Sequence, residues 1–202
     1  MYSRFGWWAA ISACAASIGY GIPQVLQVMG VLPTPLDRIL IFAPSLLLAP
    51  CFVVTMAALH AVAPANRHPW SLASLALAIM YGVLACIVYI TQLGVVIPGE
   101  LLGEREMTAI FACCEPRHFL TGVDLLGYTL MSISTLFAAP VFPARGPGAA
   151  ARWWLIANGV LAPALILLLA APWLIAVGAL WLITFPAAMI AMAMVFGRAP
   201  SA

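Results

Sequence analysis

The sequence predicts an all-α integral membrane protein, a polytopic bundle of six transmembrane helices with both termini in the cytoplasm. Three observations lead to this prediction. The first is composition, because 65% of the 202 residues are hydrophobic and only 7% are charged, whereas soluble domains are about a quarter charged. The second is the division of the chain into long apolar runs, and the third is the placement of arginine along it.

The apolar runs are long enough to cross a bilayer, since a spanning helix needs about 20 mostly apolar residues. The run from Arg152 to Phe196 is too long for one pass and divides near Pro172, which gives two helices and a tight turn. All spans belong to one transmembrane domain that covers residues 1–202, with an outer connector at 98–118. The predicted spans are 6–29, 38–62, 70–97, 119–142, 152–170 and 173–196.

Proline occurs inside several of these spans, where it removes a backbone hydrogen bond and is expected to kink the helix. Kinked helices leave room for a cavity, although membrane helices also tolerate proline without any functional consequence. The prolines in question are Pro23, Pro44, Pro50, Pro163 and Pro186.

Arginine is distributed unequally between the two predicted sides, and the chain contains no lysine. The side of the termini has Arg4, Arg67, Arg145, Arg152 and Arg198, and the opposite side has Arg38, Arg105 and Arg117. Cytoplasmic loops are enriched in positive charge. This five-to-three excess predicts cytoplasmic termini in the cell (inner) membrane. All six acidic residues, Asp37, Glu100, Glu104, Glu106, Glu115 and Asp124, lie on or near the outer side.

Polar side chains inside the spans are the main functional signal, because burying them in a bilayer is costly. Helical spacing places them on single faces of the first, third and fourth spans. Gln92 and Asp124 lie at similar depths, roughly 7–8 Å from the outer helix ends. We therefore predict a ligand pocket in the outer half, although the same residues could simply join helices through hydrogen bonds. The predicted ligand-binding residues are Tyr20, Gln24, Gln27, Tyr89, Gln92, Thr121, Asp124 and Tyr128.

The connector 98–118 joins the two spans that carry Gln92 and Asp124, so it is placed to act as a lid over such a pocket. Glu100 and Glu104 are four residues apart and face the same way if this segment is helical. The alternative is a solvated loop whose charges pair with one another at little gain in stability.

Three functions are compatible with this arrangement. The first is binding or transport of a small hydrophobic or amphipathic ligand, with Asp124 as the titrating group if transport is coupled to protons. The second is an intramembrane enzyme that acts on a lipid or isoprenoid, with Asp124 and either Glu100 or Glu104 as catalytic acid and base. The third is a structural or regulatory subunit of another membrane protein.

Metal, cofactor and nucleic-acid binding are not expected from the sequence. Cys113 and Cys114 are adjacent and do not have the usual spacing of metal ligands, so the sequence predicts no metal site. Whether these two cysteines have a redox or metal role is a question that the sequence leaves open. The eight arginines are scattered rather than clustered on one face, as a nucleic-acid site would require. The expected partners are therefore the lipid bilayer, a small ligand and a membrane-protein partner.

Overall fold

The computed structural model describes residues 2–114 and 118–198, so Glu115 and Arg117 of the connector lie outside the described residues. It confirms an all-helical chain with six helices that are long and apolar enough to cross a membrane. We label them in chain order: α1 (Ser3–Val28), α2 (Leu36–Val62), α3 (Ala65–Leu101), α4 (Phe119–Val141), α5 (Ala149–Leu167) and α6 (Pro172–Arg198).

The six helices form a closed ring. Each helix packs against its neighbours in sequence, and α1 packs against α6. Six passes bring residues 2 and 198 to the same end of the bundle, which we call the termini end. The opposite end, which we call the connector end, carries the connector between α3 and α4. The connector was predicted at 98–118, but α3 extends to Leu101, so from here on the connector is residues 102–118.

Several helices are interrupted. In α3 an α-helix at His68–Thr91 passes through a π-helical turn at Gln92–Val96 into a short helix at Ile97–Leu101. The N–H of Ile97 donates to the carbonyl of Gln92, five residues back in the chain instead of the four of an α-helix. Pro98 is the second residue after this turn and has no N–H with which to continue the ladder.

The helices near the C-terminus are also divided. α5 consists of Ala149–Gly159 and Ala162–Leu167, with Pro163 in the first turn of the second piece. α6 consists of Pro172–Leu174, Ile175–Gly178 and Trp181–Arg198. Of the five prolines expected to disturb spans, Pro163 therefore lies at a break, and the other four lie inside continuous helices. The shorter elements are Ala65–Arg67, Arg105–Thr108, Ala109–Phe111 and Ala139–Val141.

Small residues allow the helices to approach closely. A Cβ added to Gly6 of α1 would lie 2.9 Å from the Ala58 Cβ of α2. A Cβ added to Gly159 of α5 would lie 2.9 Å from the Ser132 carbonyl oxygen of α4 and would also overlap the Leu136 side chain. Packing between small residues is a main source of helix association in membranes, where no hydrophobic effect draws helices together.

The outer surface has the composition expected of a membrane-spanning bundle. Large apolar side chains are exposed along the helices, and tryptophans are exposed near their ends. Trp8, Trp70, Trp153 and Trp154 lie near the termini end, and Trp173 lies near the connector end and is 73% exposed. Tryptophan is enriched at both edges of a bilayer. The chain is therefore a multi-pass membrane protein by length, composition and surface.

Candidate functional site

Five aromatic side chains from four helices form a closed loop of ring contacts across the centre of the bundle. We call this loop the aromatic layer. Its ring centroids are 5.8 Å, 5.9 Å, 5.1 Å, 4.7 Å and 5.6 Å apart in order around the loop, within the range that aromatic pairs favour. All five side chains are buried. In the same order they are Phe52 of α2, Tyr81 of α3, Tyr128 of α4, and Trp181 and Phe185 of α6.

Asp124 lies one helical turn from Tyr128, on the side of the aromatic layer that faces the connector. The Tyr89 hydroxyl interacts with the Asp124 carboxylate and lies 2.9 Å from the Tyr128 hydroxyl, to which it is oriented as a donor. The Tyr20 ring packs edge-on against Trp181 at 5.9 Å. Four predicted residues from three helices therefore meet in one place, together with Trp181, which the sequence analysis did not select.

Three buried polar atoms in this region have no hydrogen-bond partner among the described residues: Asp124 Oδ1, Tyr81 Oη and Trp181 Nε1. An unpaired buried polar group costs about 1–3 kcal/mol, so each such group calls for an explanation. A carboxylate oxygen accepts, an indole N–H only donates, and a hydroxyl does either. We call Tyr81, Tyr89, Asp124, Tyr128 and Trp181 the polar–aromatic cluster.

The described part of the connector lies against Asp124 of this cluster and is held by two of the predicted residues. The Gln92 side chain, which is buried, donates from Nε2 to the Phe111 carbonyl at 2.7 Å and accepts at Oε1 from the Cys113 N–H at 3.2 Å. The Thr121 hydroxyl accepts from the Cys114 N–H at 2.8 Å. The polar groups of Gln92 and Thr121 thus bind the connector backbone.

The remaining predicted residues lie in other arrangements. Gln24 donates to Gln27 at 3.2 Å, and Gln27 donates to the Asp37 carboxylate at 2.7 Å, which links α1 to the start of α2. Glu100 forms a bidentate ion pair with Arg38 of α2, with one of the two bonds at 2.9 Å. Glu104 is exposed to solvent. Glu100 therefore already has a cationic partner.

The structure also brings the two adjacent cysteines to Asp124. The Cys113 and Cys114 sulfurs are 2.6 Å apart, and both lie within 4.8 Å of an Asp124 carboxylate oxygen. The contact with the Cys113 thiol raises the pKa of the Cys114 thiol well above its ordinary range. The sequence analysis missed this grouping, because Cys114 and Asp124 are ten positions apart, which matches no metal-ligand spacing. The only available signal was a cysteine pair just before the span that contains the buried carboxylate.

Buried polar groups nearer the termini end mostly satisfy one another. The Ser134 hydroxyl of α4 donates to the Ser74 carbonyl of α3 at 2.8 Å. Asn158 of α5 donates to the Thr135 hydroxyl at 3.2 Å and accepts from the Thr184 hydroxyl of α6 at 3.1 Å. An apolar groove of about 210 Å³ opens between α2, α4 and α6 at this end and has no charged lining residue.

The fold and the polar–aromatic cluster together define a class: a multi-pass helical membrane protein with a carboxylate whose Oδ1 is buried next to the connector at one end of the bundle. Comparison with protein-family models, with curated proteins and with solved structures finds no significant match. The functional argument therefore rests on the chemistry of the site.

Proposed function

We propose that the protein binds a small amphipathic ligand at the polar–aromatic cluster and takes part in its transport into or across the membrane. The observation that carries this proposal is the set of three buried, unpartnered polar atoms on Tyr81, Asp124 and Trp181. Ionisable and polar groups at membrane depth are costly, and their default interpretation is functional.

The chemistry of these atoms describes the ligand. Asp124 Oδ1 calls for a donor such as an amine or a hydroxyl, and Trp181 Nε1 calls for an acceptor. The surrounding rings favour an apolar body, since ligand sites are mostly apolar with a few convergent polar groups. A small molecule with both a donor and an acceptor on a hydrophobic frame meets all three requirements.

Access to the cluster is proposed to come from the connector side. Two residues hold the connector backbone, Gln92 and Thr121, and both make hydrogen bonds that a local opening would break. The arginine excess at the termini end favours cytoplasmic termini, which would place the connector on the opposite face of the cell membrane. The ligand would then enter from the non-cytoplasmic side.

Binding is favoured over an intramembrane acid–base reaction. In the reaction predicted from the sequence, Glu100 or Glu104 supplies the second titratable group beside Asp124. Glu100 is ion-paired with Arg38 and Glu104 is exposed, so neither carboxylate is free inside the bundle. No contact in the described part of the chain specifically favours a purely structural subunit.

The proposal is tested by native mass spectrometry of the full chain released from lipid nanodiscs, followed by identification of any small molecule retained. We expect a small-molecule adduct on the wild-type protein that is lost in Asp124→Leu and weakened in Trp181→Phe. The matched control is Asp37→Asn, because Asp37 is the other carboxylate at the connector end with an unpartnered buried oxygen.

The control is expected to retain the adduct. A wild-type protein that carries no small molecule, or an adduct that survives Asp124→Leu, would contradict ligand binding at this cluster. Loss of the adduct from Asp37→Asn as well would place the binding site elsewhere.

A further inference from the structure

We propose that Cys113, Cys114 and Asp124 bind one thiophilic divalent cation of the zinc class at the connector end. Two sulfurs and one carboxylate oxygen already lie within 4.8 Å of one another. These are three ligand types that Zn²⁺ accepts. The site shares Asp124 with the proposed ligand site and differs from it in its two thiols, and it does not require that a ligand be bound there.

A single tetrahedral ion fits once the two sulfurs separate. With metal–sulfur bonds of about 2.3 Å, two sulfurs on one tetrahedral Zn²⁺ lie about 3.8 Å apart. The sulfurs are 2.6 Å apart, so they would have to separate by about 1.2 Å to admit the ion. Neither cysteine is in a disulfide, so rotation about the Cα–Cβ bonds is free to move the sulfurs apart.

The backbone is arranged to bring the two thiols together. Successive side chains of an extended chain point in opposite directions, but here they meet. Cys114 has φ of +77°, and it is the one residue other than glycine with a positive φ in the described part of the chain. That conformation costs a non-glycine residue on the order of 1 kcal/mol.

Gln92 and Thr121 hold the two cysteines in place, because their side-chain oxygens accept hydrogen bonds from the N–H groups of Cys113 and Cys114. Outer groups of this kind orient metal ligands, and losing them typically weakens metal affinity 10- to 100-fold. Gln92 itself projects from the π-helical turn of α3. The π-helical turn at Gln92 and the positive φ of Cys114 therefore both help to position the same two thiols.

An unpartnered group supplies the independent sign of a ligand. Asp124 Oδ1 is buried and has no hydrogen-bond partner among the described residues. His118 is not among the ligand atoms that lie within 4.8 Å of one another, so water would complete the tetrahedral coordination.

Charge and proton balance are consistent with this assignment. Binding converts two thiols and one carboxylate into a complex of two thiolates, one carboxylate and the cation, and two protons leave to solvent. The net charge of the three ligands and the ion is then −1. Bound metal would also link the connector to Asp124 of α4, and this link would oppose local opening of the connector.

The experiment is a Co²⁺ titration of the reduced full-length protein in nanodiscs, because Co²⁺ reports thiolate ligation through charge-transfer absorption and tetrahedral geometry through visible bands. We expect both at one ion per chain and expect added Zn²⁺ to abolish them. The test variant is the double substitution C113S/C114S, and Asp124→Asn tests the oxygen ligand. The matched control is C51S/C86S, which removes two half-buried cysteines of the helices.

Affinity is expected to fall about 100-fold or more in C113S/C114S and about 10-fold in Asp124→Asn, and to stay unchanged in the control. Absence of charge-transfer bands in the wild type, or bands that survive C113S/C114S, would overturn the proposal. Thermal melting of each variant checks that it is folded, and the single variants Cys113→Ser and Cys114→Ser repeat the test if the double variant is not. The small-molecule adduct is scored separately by mass, so failure of the metal site and failure of the ligand site give different results.

Discussion

The connector half and the termini half of the bundle treat their buried polar groups differently. In the termini half, side chains such as Ser74 and Ser134 pair across helices, and Asn158 bonds to both of its neighbours. Ser132 Oγ and Arg152 Nε are exceptions there. From the aromatic layer to the connector end, which together we call the connector half, groups on Tyr81, Asp124, Trp181, Asp37 and His118 are left without partners among the described residues.

This contrast indicates that the two halves contribute differently to the stability and to the function of the protein. Hydrogen bonds that join helices in a membrane are worth about 0.6 kcal/mol on average and up to about 1.7 kcal/mol. Unpaired buried groups lower stability, and proteins retain them mainly where activity requires them. The termini half is therefore expected to determine the stability of the bundle, and the connector half its binding chemistry.

The largest effect is expected for Asn158→Leu in the termini half. The substitution removes both hydrogen bonds of a fully buried amide, so the free energy of unfolding should fall by about 1–2 kcal/mol. Unfolding in a detergent titration measures it. Thr184→Val, which loses only one of the two bonds, should cost about half as much. An Asn158→Leu protein as stable as the wild type would remove the contrast between the halves.

An intermediate and local effect is expected for Gln92→Leu. Its amide holds the Phe111 carbonyl and the Cys113 N–H, so its loss should favour local opening of the connector by about 1 kcal/mol, or roughly fivefold. Labelling of the half-buried Cys113 by a charged maleimide, mapped by peptide mass spectrometry, should accelerate accordingly. Gln24→Leu serves as the control because Gln24 bonds to Gln27. Equal labelling rates in all three proteins would show that Gln92 does not anchor the connector.

The smallest loss of stability is expected for Tyr81→Phe, because the removed hydroxyl has no partner. The free energy of unfolding should not fall and should rise, since the substitution removes a buried polar group whose missing partner itself lowers stability. The comparison is Ser134→Ala, which removes a buried hydroxyl bonded to Ser74 and should cost about 0.5–1.5 kcal/mol. If Tyr81→Phe costs as much as Ser134→Ala in ligand-free protein, the Tyr81 hydroxyl is satisfied and the unpaired cluster is smaller than described.

Much of the fold could be predicted because the length and apolarity of a span are local properties of the chain. The fourth span was predicted at 119–142 and is found at Phe119–Val141. The third was predicted at 70–97 but extends over Ala65–Leu101. At the C-terminal end the difference arises because α3 continues through a π-helical turn past Pro98, and hydropathy does not register such a turn. At the N-terminal end a short helical turn at Ala65–Arg67 precedes the α-helix.

The candidate site could be predicted only in part. Helical periodicity placed Asp124 and Tyr128 on one face of α4, and the structure has them together with Tyr89. Periodicity could not show which neighbour each face would meet. Gln27 lies on a similar stripe of α1 yet bonds to Asp37, and Trp181 joins the site from α6 although its surroundings in sequence are apolar.

The sequence by itself determined that the chain is helical, that it has six spans and that polar residues concentrate near one end. Composition and spacing suffice for these features because a bilayer imposes the same requirement on every span, namely that its backbone bonds be made internally and its surface be apolar. Only the tertiary structure decided that α1 meets α6, that five rings close into the aromatic layer, and that Cys113 and Cys114 reach Asp124. These contacts depend on how helices rotate and pack against one another, and packing is a property of pairs of surfaces, which no single segment of the chain contains.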